Sequence, residues 1–181
     1  MRSKDRKLDV CKIATEFGNF AKMPQTQNEK LVLNEILSSV HDLFRKREDL
    51  DIHLSVPIDE LHVFADKDQI IRVLNNLINN AIQAIPDTRR GLIQISLDAT
   101  AREATISIRD NGEGIPEDMQ SKVFLPNFTS KSSGTGLGLA MCQQIVEAAN
   151  GRIFFRTIPG KGTNFFVELP LMRKPEQGEP G

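Results

Sequence analysis

Four asparagines lie on one side of a helical segment, LNNLINNAIQAI at residues 74–85. Asparagine is a mediocre helix former because its amide competes with the backbone for hydrogen bonds. At about 100° per residue, Asn75, Asn76, Asn79 and Asn80 fall within about 140° of one another. The apolar residues take the opposite side, and they are Leu74, Leu77, Ile78, Ile82 and Ile85. The segment must therefore bury one side of a helix against another layer and leave a face of amides uncovered.

The amide face allows two interpretations. It can be a polar surface in contact with solvent only. Alternatively, Asn76 and Asn80, which are one turn apart, can converge on one ligand, because an amide offers a carbonyl oxygen to a cation and an NH₂ group to an anion. A hydrated Mg²⁺ bound to phosphates is such a ligand, since it takes few protein oxygens.

Apolar periodicity and turn residues predict the remaining elements. The predicted helices span 4–21, 31–47, 67–85 and 136–149, and the predicted strands span 51–56, 92–99, 103–110, 152–157 and 163–169. Asp66 is predicted to cap the helix at 67–85, which stops before Pro86. We expect an α+β fold, a two-layer α/β sandwich with a mixed sheet of about five strands and about three helices.

The helix at 4–21 is expected to stand outside this sandwich. We divide the chain into an N-terminal helical part at 1–23, a polar linker at 24–30, one domain at 31–171 and a disordered tail at 172–181. The sequence therefore predicts one folded domain with a short helical attachment.

The bulk properties exclude several classes of protein. A net charge of −1 leaves no electrostatic footprint for nucleic acid or an anionic membrane surface. No apolar run approaches the roughly 18 residues that a membrane-spanning helix needs. Cys11 and Cys142 lack a Cys or His neighbour at metal-binding spacing, so we expect reduced, half-buried thiols in a cytosolic protein.

DNGEGIP at 110–116 directly follows a predicted strand. Asp110 stands at the strand end, where a carboxylate can accept two hydrogen bonds. Gly112 and Gly114 let the backbone pass close to a flat ligand. The plain alternative is a tight turn.

GTGLGLAM at 134–141 leads into a predicted helix. Its bare backbone N–H groups and the helix N-terminus suit phosphate, although a glycine-rich hinge would have the same composition. The chain has no GxxxxGK[ST], which excludes a P-loop. Its GxGxG follows KSS instead of a strand, which argues against a Rossmann site.

The segment VFLPNFTSKSSG at 123–134 joins these two glycine-rich stretches. Phe124 and Phe128 bracket a proline, and Lys131 offers a compact positive charge that suits phosphate. The segment can be a mobile lid with aromatic anchors, or Lys131 can be an ordinary solvated side chain.

Taken in order, these segments resemble the catalytic and ATP-binding domain of sensor histidine kinases, in the GHKL superfamily with the Bergerat ATP fold. NNLINNAIQAI is similar to the N box, DNGEGIP to the G1 box, VFLPNFTSK to the F box and GTGLGLA to the G2 box. The resemblance covers residues 31–170, where GKGTNFFVELP matches the family's final strand. VCKIATEFGNFAKMPQ is similar to the end of the second dimerisation helix in nitrogen-regulation sensor kinases of the NtrB and NtrY type, which would place residues 1–23 in that helix.

The resemblance implies a role for each matching position. Asn80 would coordinate Mg²⁺ and Asn76 would assist at the phosphates, so these two are the implied catalytic residues. Asp110 would accept the adenine amino group, Gly114 would let the base pack closely, and Thr163 would help hold the adenine through water. The other implied ATP contacts are Gln83, Gly112, Ile115, Phe124, Phe128, Thr129, Lys131, Gly134, Thr135, Gly136, Leu137, Gly138 and Leu139.

The residue type at position 76 also distinguishes two branches of the superfamily, the kinases and the ATPases that hydrolyse ATP. The ATPases related to gyrase, MutL and the large heat-shock chaperones carry a Glu at this position, one turn before the metal-binding Asn, as the general base for water. An amide cannot take a proton from water at neutral pH. Asn76 therefore favours phosphotransfer over fast hydrolysis.

The phosphoacceptor histidine of the family has no counterpart in this sequence. The histidines are His41, His53 and His62, and we expect all three to be ordinary surface or half-buried residues. We therefore expect a fragment of a longer kinase that binds ATP and Mg²⁺. The γ-phosphoryl would go to a His on a dimerisation domain outside this chain.

The implied partners are the dimerisation and phosphoacceptor domain of the parent kinase and the receiver domain of a response regulator. A homodimer through the N-terminal helix is a further expectation, whereas contacts with nucleic acid or membrane are not expected. We expect a cytoplasmic chain, by itself or as the cytoplasmic portion of a membrane sensor. Two alternatives stay open: a stand-alone GHKL ATPase or serine kinase of the anti-sigma type, and a binding module that uses nucleotide as a switch.

Overall fold

The computed structural model describes residues 26–126, 128 and 136–172. This part of the chain forms two sheets and a layer of helices. In chain order the elements are β1 (Asn28–Val32), α1 (Leu33–Phe44), β2 (Leu50–Ser55), β3 (His62–Asp66), α2 (Lys67–Ala84), β4 (Gly91–Ala99), β5 (Glu103–Asp110), α3 (Glu117–Gln120), α4 (Gly138–Ala148), β6 (Arg152–Ile158) and β7 (Gly162–Pro170).

The main sheet has the strand order β2–β4–β5–β7–β6. β2 runs parallel to β4, and the other neighbouring pairs are antiparallel. Burial alternates along β4 and β5, where Ile93, Ile95, Ile106 and Ile108 are buried and the side chains between them are more exposed. The buried side chains of α1, α2 and α4 belong to the same core as these isoleucines, so the helices cover one face of the sheet.

β1 and β3 form a separate two-stranded antiparallel sheet. Val63 of β3 forms an isolated bridge with Leu171, just past β7, and the N–H of Met172 donates to the carbonyl of His62 at 2.8 Å. The small sheet is therefore attached to the end of the last strand of the main sheet.

The predicted two-layer α+β fold is confirmed. β5 spans Glu103–Asp110 as predicted, and most other elements agree within two residues of their predicted ends. Asp66 Oδ1 accepts the N–H of Gln69 at 3.1 Å, which confirms the predicted N-cap of α2. The sequence was sufficient to predict β5 and the N-cap of α2, because both depend on residues that are close together in the chain.

The predictions for the N-terminal half contain errors. Residues 28–30 are part of β1 and not of a linker, and α1 begins at Leu33 and ends at Phe44, inside the predicted 31–47. The main sheet has the predicted five strands, whereas β1 and β3, which form the separate small sheet, and the single turn α3 were not predicted. β1 exposes its first three side chains and pairs with a distant strand, so it carries no alternating pattern of its own.

The predicted helix at 4–21 lies outside the described residues, as does the predicted tail beyond Met172. Among the residues that the structure does describe, none of the helices combines the length and the apolar character needed to cross a bilayer.

Candidate functional site

Asp110 ends β5 with its carboxylate inside the protein, at 4% exposure. Its Oδ1 accepts the backbone N–H of Gly112 at 2.8 Å and the backbone N–H of Thr163 at 3.1 Å. Bonds from N–H groups favour the charged form of a carboxylate and hold it in one orientation. The residue predicted to accept a ligand amino group is therefore a buried and oriented carboxylate.

Residues 111–116, here called the G1 loop, are fastened to two other elements. The N–H of Glu113 donates to the carbonyl of Ala84 at the end of α2 (2.9 Å), and the carbonyl of Glu113 accepts the N–H of Gly160 (2.6 Å). The N–H of Ile115 donates to Thr157 Oγ1 at 2.9 Å. The G1 loop, the end of α2 and the β6–β7 hairpin therefore form one connected unit beside Asp110.

Gly112 and Gly114 lie where a side chain would clash with the protein's own backbone. A Cβ on Gly112 would lie 2.6 Å from the carbonyl oxygen of Ala84, and a Cβ on Gly114 would lie 2.5 Å from that of Ile158. Gly114 also has a φ of +71°, which side chains rarely allow. We expected these glycines to make room for a flat ligand, whereas the space is taken by the protein's own backbone.

The polar side of α2 runs from the G1 loop to the start of α4. Ala84 contacts the loop, and Oδ1 of Asn76 lies 3.1 Å from the position of a Cβ on Gly138. Asn80 lies between Ala84 and Asn76, one turn from each, and both asparagines are half-buried. At 1.5 Å per residue, Ala84 and Asn76 are about 12 Å apart along the helix axis.

The four asparagines are not one uniform face. Asn79 is exposed, whereas Oδ1 of Asn75 is buried and has no hydrogen-bond partner within the described ranges. Gln83, the next predicted contact along this helix, is exposed. Asn76 and Asn80 are therefore the pair that the structure places between the G1 loop and α4.

The helix α4 begins at Gly138, and its N-cap Leu137 makes no side-chain capping bond. The first backbone N–H groups of a helix have no partner inside the helix, so this end is suited to an anion. Leu137 is buried and Leu139 packs against the core, so their side chains serve packing. Gly136 is half-buried, and the predicted contacts Thr129, Lys131, Gly134 and Thr135 lie outside the described residues.

The two phenylalanines predicted to belong to a lid are both half-buried. The ring centroid of Phe124 lies 6.0 Å from that of Phe155 in β6, and Phe124 packs against the core. Val123 beside it is buried at 8% exposure. The start of the segment at 123–126 is therefore anchored to the sheet.

Thr157 is a residue of this site that sequence reasoning missed. Its hydroxyl lies 3.0 Å from the hydroxyl of Thr163, and the two residues are direct partners in the β6–β7 register. Thr163, a predicted contact, is 4% exposed. Pairing the predicted hairpin symmetrically about its turn would have placed the two threonines opposite each other.

The three histidines are exposed or half-buried, as expected. His41 is half-buried with Nε2 3.3 Å from the carbonyl of Ile52, His53 is exposed on β2, and His62 is half-buried on β3.

Cys142 is fully buried and not half-buried as expected, and burial raises the pKa of its thiol to about 12.

Residues 65–173 match a protein family described as histidine kinase-, DNA gyrase B- and HSP90-like ATPase. The matched range contains α2, the G1 loop, α4 and the β6–β7 hairpin, which are the elements that build this site. The chain therefore belongs to this family of ATPase domains.

Within that family the chain is a catalytic domain of the histidine kinase type. It is 33% identical to the solved catalytic domain of the histidine kinase ThkA, with a TM-score of 0.71 over 80% of this chain and 95% of that one. It is also similar to ThkA solved in complex with the response regulator protein TrrA, with 27% identity and a TM-score of 0.76 over 93% of this chain and 49% of the other.

One relative of the chain is the adaptive-response sensory kinase SasA of Prochlorococcus marinus (strain MIT 9303). It is 34% identical over 157 residues, which are 83% of this chain and 42% of the relative. The chain thus spans less than half the length of that relative. The similarity therefore concerns the catalytic domain, and the remainder of that kinase has no counterpart in the aligned residues.

Proposed function

We propose that this chain binds ATP with the adenine at Asp110 and the phosphates beside Asn76, Asn80 and the first turn of α4. The observation that carries the proposal is the oriented carboxylate of Asp110, held by two N–H groups at 2.8 and 3.1 Å. Such a carboxylate accepts the exocyclic amino group of adenine. Leu137, the N-cap residue of α4, makes no side-chain capping bond, and such a helix N-terminus suits phosphate.

The spacing of these parts supports the proposal. The G1 loop and the start of α4 meet the same side of α2 at Ala84 and Asn76, about 12 Å apart along the axis. A ligand with a base at one end and a phosphate chain at the other fits this arrangement. Further contacts with ATP are proposed for the remaining residues that the family resemblance implies. They are Gln83, Gly112, Ile115, Phe124, Phe128, Thr129, Lys131, Gly134, Thr135, Gly136, Leu137, Leu139 and Thr163.

The amide oxygens of Asn76 and Asn80 suit Mg²⁺ that is held mainly by phosphate. Within the described ranges there is no group of three or more His, Cys, Asp or Glu side chains that could hold a metal by itself. Mg²⁺ keeps few protein ligands when it is bound through a nucleotide, so one amide oxygen from Asn80 is a fitting ligand. When bound, Mg²⁺ would neutralise negative charge on the phosphoryl group during transfer.

We further propose that the site positions the γ-phosphoryl for transfer to a histidine on a dimerisation domain outside this chain. The residues contribute orientation: Asp110 fixes the base, α4 holds the phosphates, and Asn76 contacts them. Asn76 has no carboxylate with which to activate water, so hydrolysis is not promoted. The likeness to ThkA bound to a response regulator supports a receiver domain as the downstream partner.

Two experiments test the proposal. Mg·ATP, Mg·ADP and Mg·GTP are titrated into the protein by calorimetry, since the chain has no Trp or Tyr for a fluorescence assay. Binding that prefers adenine is expected, and no binding by the folded protein would contradict the proposal.

The second experiment mixes the protein with a separately made dimerisation fragment and labelled ATP. Label on the histidine of the fragment is expected. Release of free phosphate alone would support a stand-alone ATPase, and binding without any transfer would support a nucleotide-switched interaction module.

A further inference from the structure

Two phenylalanines lie on the face of the main sheet opposite the helices. Ile153 in β6 and Val167 in β7 belong to the core, so the alternation of a strand places their neighbours Phe154 and Phe166 on the other face. The two rings are stacked, with centroids 4.9 Å apart and planes at 13°, and the residues are direct partners in the β6–β7 register. Both residues are half-buried. The stacked pair therefore lies on the opposite face of the sheet from Asp110.

An arginine lies over each ring of this pair, but the two arginines differ in their partners. The guanidinium of Arg152 is 5.0 Å from the centre of the Phe154 ring and donates to Glu168 at 2.6 and 2.9 Å. The guanidinium of Arg156 is 5.5 Å from the centre of the Phe166 ring, and it has no ion pair or hydrogen bond with any described residue. One end of the stack is therefore paired with a carboxylate, and the other end presents a guanidinium without one.

A second arginine lies beside Arg156 on this face. Arg109 in β5 and Arg156 in β6 are both register partners of Asn164 in β7, which lies between them. Neighbouring strands are about 4.8 Å apart, so the two arginine backbones are about 10 Å apart. Both arginines are exposed, and Arg109 too has no acidic partner among the described residues. Asn164 Oδ1 accepts the hydroxyl of Ser107 at 3.0 Å, which leaves its NH₂ group as a further donor in this row.

The charges on the rest of this face decide which kind of anion fits the row of donors. Farther along the strands the same face carries the carboxylates of Asp98, Glu103 and Glu168. These side chains would repel the regularly spaced phosphates of a nucleic acid, and the whole chain has a net charge of −1. Two separate carboxylates can reach the arginines without approaching the acidic positions. The row therefore suits an acidic protein segment.

We propose that Arg109, Arg156 and the stacked rings form a docking surface for an acidic segment of a partner protein. Two carboxylates of the segment pair with the two arginines, in the way that Glu168 pairs with Arg152. An apolar side chain between the carboxylates covers the stacked rings. Arginine suits this role because its planar fork of N–H donors matches a carboxylate and its flat face packs on an aromatic ring. The inference goes beyond the proposed nucleotide site and does not depend on it.

Fluorescence anisotropy with a series of dye-labelled synthetic peptides tests this surface on the full chain. In each peptide two glutamates flank leucines, and the spacing of the glutamates is varied. In an extended peptide a separation of about 10 Å corresponds to about three residues. We expect the peptide with this spacing to bind most tightly and its affinity to fall as salt is added. The same peptide with glutamine in place of each glutamate should not bind.

Charge-removing variants locate the peptide on the protein. Arg156→Gln and Arg109→Gln should each weaken binding of the acidic peptide about three- to five-fold, which is the effect of losing one exposed ion pair. Arg102→Gln is the matched control, because it removes the same charge at an exposed position between β4 and β5. It should leave the affinity unchanged. Circular dichroism shows whether each variant is folded, and the glutamine peptide tests the charge requirement on the unchanged protein.

Several results would overturn the inference. They are the absence of binding by every acidic peptide at about 1 mM, or equal losses of affinity in Arg156→Gln and Arg102→Gln. Tighter binding of a single-stranded oligonucleotide than of the acidic peptides would assign the surface to nucleic acid instead. Self-association of the chain that Arg156→Gln abolishes would assign it to a second copy. The titrations contain no nucleotide, so a failure of the proposed ATP site would leave their result unaffected.

Discussion

The backbone N–H of Thr163 donates to Oδ1 of Asp110 at 3.1 Å, although the two residues are 53 positions apart in the chain. The bond joins the beginning of β7 to the end of β5, and these strands are antiparallel neighbours in the sheet. It fixes a buried carboxylate beside the G1 loop. The ligand preference of the site should therefore depend on the charge of Asp110.

Replacing Asp110 by Asn should sharply weaken adenine nucleotide binding. Asparagine keeps an acceptor oxygen for the two N–H groups, but the charge is lost. A charged hydrogen bond contributes on the order of 1.5–3 kcal/mol, so affinity for Mg·ADP should fall about ten- to a hundred-fold in a calorimetric titration. Asp98→Asn, at an exposed position of β4, serves as the control. Unchanged affinity in Asp110→Asn would contradict the adenine assignment.

Asn80→Ala should remove the part of nucleotide affinity that depends on Mg²⁺. The amide oxygen is the proposed protein ligand of the metal, so binding of ATP without Mg²⁺ should change little. Asn79→Ala is the matched control, because Asn79 is the exposed neighbour on the same helix. Titrations with Mg²⁺ and with a chelator measure the difference. Equal losses under both conditions would speak against the metal role.

Gly114→Ala should destabilise the protein more than Gly160→Ala. Both glycines have positive φ, +71° and +79°, so each substitution should cost about 1–2 kcal/mol in backbone strain. A Cβ on Gly114 would also meet the Ile158 carbonyl at 2.5 Å, whereas nothing lies within 4 Å of a Cβ on Gly160. Urea unfolding measures the difference, and equal costs would show that the G1 loop can move away from the hairpin.

The thiol of Cys142 should make stability depend on alkaline pH. Burial raises its pKa from an ordinary 9.0 to about 12, so the folded protein keeps a proton that the unfolded chain loses. The stabilisation is therefore complete below about pH 9 and declines as pH rises toward about 12. Urea unfolding from about pH 8 to about pH 11 should show a flatter pH dependence for Cys142→Ala than for the wild type. Parallel curves would contradict the shifted pKa.

Much of the fold was predictable from the sequence because its signals are local. The amphipathic pattern of α2, the cap at Asp66 and the alternation along β5 each depend on residues a few positions apart. The order of the asparagine helix and the glycine-rich segments also pointed to the family that the comparison of residues 65–173 shows. The helix, its cap and the strand could be predicted because hydrophobic periodicity and capping depend on residues within one or two turns of each other.

The N-terminal sheet was not predictable in the same way. β1 is short, exposes its first three side chains and pairs with β3, about thirty residues later in the chain. A strand with such a pattern is defined by its partner and not by its own alternation, so the sequence at 28–32 predicts a linker and the beginning of a helix.

By itself, the sequence determined the helices and the main-sheet strands that build the site, the order of its motifs and the presence of an amide instead of a carboxylate at Asn76. Only the tertiary structure decided that Gly112 and Gly114 make room for backbone, and that Thr157 meets Ile115 across 42 positions of the chain. The physical reason is that these contacts depend on strand register and on how loops pack against the end of a helix. No local pattern of residues carries that information.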